Sequence, residues 1–235
     1  MAQRSEVAIL YRSNAQSRVL ETALFNAGLP YRVYGGLRFF ERAEIKHALA
    51  YLRLLENPND DTSFLRVVNF PPRGIGARSL EQLQDAARAA SCSLHDAVPH
   101  VTGKPGVTLG GFVAKIDALR AQTQGLNLRE IIELMLVDSG LIEHFRAERD
   151  GADRVENLEE LVNAAESFVM QEGFGRDAVA RPDETTNPAV GAVVEAPAST
   201  DDVNRQALMT NQDTGETLSP LVAFLTHAAL EAGDN

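Results

Sequence analysis

VAILYRSNAQSR, residues Val7 to Arg18, is the stretch on which the fold turns. Val7 to Leu10 is a short apolar run that reads as a buried strand. Ser13 then offers an N-cap, with Gln16 three residues on to complete a capping box. The helix that follows places Leu20, Ala23, Leu24 and Ala27 on one face, with Gly28 at its C′ position and Pro30 beyond. Tyr11 and Arg12 therefore fall between a strand's C-terminal end and a helix N-terminus, the edge where open α/β sheets bind ligands. An aromatic ring and a guanidinium there suit a nucleotide, one stacking on a base and the other pairing with phosphate. A surface Tyr and Arg at an ordinary turn would show the same pattern.

Working outward, Tyr31 to Tyr34 reads as a second strand, and Gly35-Gly36 as a turn. A helix with Ile45, Ala48, Leu49, Leu52 and Leu55 on one face follows the block Leu37 to Arg42. At least one of Phe39 and Phe40 belongs in the core. Alternatively the block lies on a surface near single-stranded DNA, with Arg38 and Arg42 facing phosphates. Asp60 or Asp61 caps a helix that packs Phe64, Leu65 and Val68, and Pro71-Pro72 breaks it. Arg73-Gly74-Ile75-Gly76 forms a tight turn before a helix capped by Ser79 and Gln82. Such a turn can present backbone N–H groups to a phosphate, and Arg73 favours that use. It resembles the hairpin of helix-hairpin-helix DNA binders. A glycine-rich interhelical turn that merely needs positive φ is the competing explanation.

LYRSNAQSR resembles motif IV of the UvrD/Rep/PcrA-like superfamily 1 DNA helicases. YRVYGGLRFFERAEI (Tyr31 to Ile45), NFPPRGIG (Asn69 to Gly76), RVENLEEL (Arg154 to Leu161) and LVAFLTHAALEAG (Leu221 to Gly233) resemble further blocks of that family in the same order. The resemblance implies an α/β, mostly helical chain. Residues 1–105 would be part of the RecA-like motor domain 2A, and residues 106–235 the all-helical inserted subdomain 2B. It implies that Tyr11 stacks on adenine and that Arg12 reaches the γ-phosphate as a catalytic group. It does not assign DNA contacts one by one; the Gly74-Ile75-Gly76 turn and Arg38, Arg42 and Arg73 are the DNA-binding candidates on their own chemistry. The intact family couples hydrolysis of ATP with Mg2+ to 3′-to-5′ movement on single-stranded DNA and to unwinding at single/double-strand junctions, often in repair, in the bacterial cytoplasm. Neither a Walker A nor a Walker B motif is present. Gly103-Lys104 is not a P-loop, because Val98 stands where that motif needs glycine. The segment alone is therefore expected to be inactive and to hold no nucleotide tightly.

The remaining sequence is less specific. Gly103, Pro105, Gly106, Gly110 and Gly111 read as a junction, with a domain boundary near Pro105. Beyond it the period is helical: Phe112, Ile116 and Leu119; then Asn127 with Glu130 ahead of Leu128, Ile131, Ile132 and Met135. Leu141 to Phe145 makes a short helix. Asp153 with Glu156 starts a long one carrying Val155, Leu158, Leu161, Val162, Ala165 and Phe168. Gly173 to Leu218 has no sustained period and reads as a mobile acidic insertion. Ser219-Pro220 starts a last helix with Leu221, Phe224, Leu225 and Ala228.

Net charge is −11, but residues 1–100 carry +2 and residues 101–235 carry −13, so the basic groups concentrate where the motifs lie. A local basic groove for DNA is compatible with that split, with a modest salt dependence. The lone Cys92 excludes an internal disulfide framework, and no apolar run is long enough to span a bilayer. The five histidines show no metal-ligand spacing. Cys92 near His95 lacks the oriented third group of a nucleophilic site. Two other functions fit the residues: a stand-alone DNA-binding module using the Gly-Ile-Gly turn, and a regulatory arm that engages repair proteins through the acidic helical half.

Overall fold

The structure, a computed structural model, describes residues 7–12, 16–33, 37–175, 177–181 and 218–232. Its helices are α1 (Gln16–Asn26), α2 (Ala43–Glu56), α3 (Asp61–Val67), α4 (Ala77–Ala90), α5 (Leu94–Ala97), α6 (Gly103–Gln122), α7 (Leu128–Asp138), α8 (Leu141–Arg146), α9 (Ala152–Gln171) and α10 (Pro220–Ala232). Short 3-10 turns cover Phe39–Glu41 and Val98–His100.

Among the described residues there is no strand, which corrects the α/β expectation. Val7, Ile9 and Leu10 are 64%, 50% and 94% exposed, so the run expected to be a buried strand is an open extended ledge. A segment becomes a strand only by exchanging backbone hydrogen bonds with a neighbour, and among the described residues none bridges to it. Residues 31–33 are likewise irregular; Tyr34, the Gly35-Gly36 turn and the Ser13 cap lie outside the described residues.

The centre of the molecule is α2. Ala48, Leu49, Ala50, Tyr51, Leu52, Leu54 and Leu55 are all buried, so this helix is covered on every side. It packs against α3, α6, α7, α9 and α10. The expected apolar stripes of α6, α7, α9 and α10 face it, and Phe39 and Phe40 both join the core. Leu65 does not: α3 turns it to solvent, 39% exposed.

Several helix starts form as the residues predict. Asp60 Oδ1 accepts from the Ser63 N–H at 3.0 Å. Asn127 and Glu130 close a reciprocal capping box, each bond 3.0 Å. Others shift. α9 begins at Ala152 after Gly151, which places the expected cap Asp153 inside the helix. α4 begins at Ala77 with Gly76 as its N-cap, two residues before the Ser79 position. The glycine-rich stretch is helical: α6 runs through Pro105, where a proline in the first turn loses no internal hydrogen bond. Buried residues on both sides of Pro105 form one cluster.

The start of the expected insertion is anchored. Ala180 is fully buried, and its N–H donates to Leu126 O at 2.9 Å. Arg181 Nη1 donates to Arg120 O and to Thr123 Oγ1. Residues 182–217 lie outside the described residues.

Candidate functional site

Two places on the molecule combine open surface with chemistry. The first is the ledge before α1. Ile9, Leu10, Tyr11, Arg12, Gln16, Val19 and Leu20 line a wide groove of about 620 Å³. Tyr11 is 38% exposed and Arg12 is exposed, so ring and guanidinium are both presented outward. The Arg12 N–H donates to Gln16 Oε1 at 3.1 Å, which ties the ledge to the first turn of α1. The capping box expected of Ser13 and Gln16 rests on Ser13, which lies outside the described residues. An open aromatic beside a guanidinium on an apolar floor fits a nucleotide's base and phosphate. Among the described residues no group of three or more His, Cys, Asp or Glu side chains is placed to hold a metal.

The second place is the turn from Asn69 to Gly76. Asn69 Oδ1 accepts from the Arg73 and Ile75 N–H groups at 2.9 and 3.1 Å and closes the turn. The Phe70-Pro71 peptide is cis. Arg73 was expected to reach outward to phosphate; its guanidinium instead points into the fold. It donates to Val67 O at 2.9 Å, Pro71 O at 3.1 Å, Ser139 O at 3.3 Å and the Tyr51 hydroxyl at 2.6 Å, and lies 5.2 Å from the Phe112 ring centre. The Tyr51 hydroxyl in turn donates to Phe70 O at 2.6 Å, and burial raises its pKa. Arg73 therefore builds the turn. Ile75 is 3% exposed and anchors it in the core.

What the turn presents is backbone. Gly74 has φ +74°, which only glycine adopts without strain. Gly76 has φ −88°, which any residue adopts, and a Cβ there would meet nothing within 4 Å. It also occupies an N-cap, where Ser, Asp or Asn would hold α4 better. With glycine at position 76, no side chain caps the α4 N-terminus. Arg78, exposed at the second position of α4, stands beside that opening. Sequence reasoning passed over Arg78 because its exposure depends on where α4 begins.

The remaining arginines expected to face DNA are engaged internally. Arg42 is 8% exposed; its Nη1 donates to Asn157 Oδ1 at 2.8 Å and its Nη2 to Ser17 Oγ at 2.7 Å. Burial lowers its pKa, against the opposing pull of Glu21 and Glu44. Arg38 is half-buried, with Nη1 3.4 Å from Glu231 O and its guanidinium 5.9 Å from the Tyr31 ring centre. Tyr31 is pushed up to about 12 by burial and by the nearby Glu21 and Glu231 carboxylates.

Comparison with known proteins adds an independent line. A family model described as the UvrD-like helicase C-terminal domain matches residues 1–234. The chain is 41% identical to DNA helicase II of Escherichia coli (strain K12) over 98% of its own length and 27% of that protein. It is 38% identical to DNA helicase II of Haemophilus influenzae over 97% of this chain and 27% of that one. The ATP-dependent DNA helicase PcrA of Bacillus subtilis is 40% identical over 70% of this chain and 23% of its own length. The chain thus spans about a quarter of the length of the relatives it matches.

Proposed function

Since the chain belongs to the UvrD-like helicase family and matches its C-terminal domain, we propose that it works as a segment of a bacterial, cytoplasmic, ATP-dependent DNA helicase. The parent would move 3′-to-5′ on single-stranded DNA and unwind duplex, with repair as its setting. The observation that carries this reading is the open ledge of Tyr11 and Arg12 at the start of α1. On it Tyr11 would stack on the adenine of ATP, and Arg12 would pair with the terminal phosphate. ATP bound with Mg2+ would supply the phosphoryl group. A guanidinium at the transferring phosphate forms charge-assisted hydrogen bonds that strengthen as charge develops.

The Gly74-Ile75-Gly76 turn is the DNA-facing element in this reading. The bare α4 N-terminus would take a backbone phosphate, with Arg78 as its cation. Arg42 and Arg73 serve by holding structure. Arg38 flanks α10 and is left as a candidate contact near single-stranded DNA. The helical unit in the parent would begin near Arg38 rather than near Pro105, because α2 already belongs to the shared core.

The test is steady-state ATPase of the longer helicase with saturating DNA. Arg12→Ala should lower kcat by at least about 10²-fold, the cautious end for electrostatic stabilisation of a transition state. Arg12→Lys should recover only part, since it keeps charge but loses the planar fork. Near-normal kcat in Arg12→Ala would remove the nucleotide role; intact kcat with lost DNA affinity would move Arg12 to the DNA track.

A further inference from the structure

Helix α1 is mounted the opposite way from an ordinary amphipathic helix. Its buried residues are polar: Ser17, Arg18 and Glu21. Val19 and Phe25, by contrast, are 55% and 39% exposed. Each inward group bonds to a different element. Arg18 Nε meets Glu160 Oε1 of α9 at 2.6 Å. Glu21 Oε2 accepts from the Phe39 N–H at 3.3 Å. Thr22 Oγ1 lies 3.4 Å from Glu231 Oε2 of α10. Ser17 Oγ accepts from Arg42 at 2.7 Å.

Arg42 is the hub of this contact. It bridges Ser17 on α1 to Asn157 on α9, and Asn157 Nδ2 donates on to Glu44 Oε1 on α2 at 2.7 Å. All four side chains are buried, none more than 8% exposed. A fully bonded buried polar network is weak evidence of stability, and its better-attested use is to fix register. Here the register has a consequence. Ser17 follows Gln16, and Gln16 Oε1 holds the Arg12 N–H. An unbroken line of bonds runs from α9 through Arg42 and α1 to the ledge.

We propose that Arg42 is a positioning residue: from the helical unit it sets the register of α1 and, through Gln16, the seat of Arg12. The link to Arg12 rests on reading Tyr11 and Arg12 as nucleotide-facing; the pinning of α1 does not. Arg42 touches neither nucleotide nor DNA in this assignment. Lysine at position 42 keeps the charge but loses the planar fork that spans Ser17 and Asn157.

The first arm of the test is amide exchange on this chain. In Arg42→Leu the amides of α1 should exchange about ten-fold faster or more, the lower end for loss of a charge-assisted hydrogen bond. Amides of α7 should be unchanged. Arg42→Lys should lie between. Ser17→Ala, which removes one link and leaves the Asn157 bond, should raise exchange in the same helix, and it carries the test if Arg42→Leu does not fold. Unchanged exchange in α1, or an equal rise in α7, would overturn the assignment. The second arm is DNA-stimulated ATPase of the longer helicase. Arg42→Lys should lower kcat by a few-fold, short of the roughly ten-fold expected for complete loss of a charge-assisted hydrogen bond, with the half-saturating DNA concentration unchanged. Unchanged kcat despite a loosened α1 would break the link to the ledge, and lost DNA affinity with intact kcat would return Arg42 to the DNA track. Arg12→Ala in the same assay separates the two readings: if it leaves kcat intact, the nucleotide role fails while the exchange result still decides the pin.

Discussion

Arg73 shows how one side chain can be read correctly for position and wrongly for direction. Its place next to Gly74 marks it as part of the turn, but its donors are used on the carbonyls of Val67, Pro71 and Ser139 and on the Tyr51 hydroxyl. Removing it strips those acceptors of a charged donor. Arg73→Ala should therefore destabilise the chain by about 1–3 kcal/mol, the range for buried groups left without a partner, with Arg73→Lys recovering part; urea unfolding measures both. Unchanged stability with lost DNA affinity would turn Arg73 outward again. His47 makes a different prediction. Its ring stacks on Phe70 at 3.9 Å, and burial, followed by Arg66, His144 and Arg154, lowers its pKa from 6.5 to about 4. Below pH 6.5 the unfolded chain takes up a proton that the folded chain refuses until about pH 4. Stability supported by neutral His47 is therefore lost as pH falls across that window. Glu21 acts with the opposite sign, because burial raises its carboxyl and acid relieves the cost of its charge. The measurement is the difference in unfolding free energy between pH 7 and pH 4.5, compared in wild type and His47→Gln. The variant should lose less stability on acidification; an equal loss would show that His47 does not carry it.

At the scale of elements, α4 and α1 are the informative pair, because each departs from what a helix does for itself. α4 starts on an unhelpful cap, Gly76, whose backbone is ordinary and whose surroundings are empty. Gly76→Ser should hold or raise stability by a few tenths of a kcal/mol, because serine caps slightly better than glycine. The same change should weaken duplex binding several-fold if the bare N-terminus receives a phosphate. A titration of duplex DNA beside a thermal melt separates the two: unchanged affinity would leave Gly76 without a binding role. α1 carries its apolar residues outward and its polar ones inward. The expected burial of Leu20, Ala23, Leu24 and Ala27 is not met, since Ala23 and Ala27 are exposed and the two leucines only half-buried. Periodicity identified α1 as a helix, but periodicity alone does not say which of two candidate faces meets a neighbour.

At the scale of the molecule, net charge and local placement decide how it meets DNA. The chain carries −11 overall. Arg42 and Arg73 are bound internally, which leaves Arg66 and Arg78 as exposed cations flanking the turn. About two cationic phosphate contacts predict a log–log slope of duplex affinity against salt near −2. A slope steeper than about −5 would require more cations at the DNA than these two, and the internal partners of Arg42 and Arg73 would have to be abandoned. The sequence by itself determined the apolar stripes of α2, α7, α9 and α10, the caps at Asp60 and Asn127, and the family, because these depend on local spacing and ordered motifs. Only the tertiary structure decided that Val7 to Leu10 stays an open ledge, that α2 is the covered centre, and that Arg42 and Arg73 point inward. Strand formation needs a neighbour in space, and a guanidinium can donate to a phosphate or to a carbonyl. Which partner it takes depends on groups distant in sequence: Ser17 and Asn157 for one arginine, Tyr51 and Ser139 for the other.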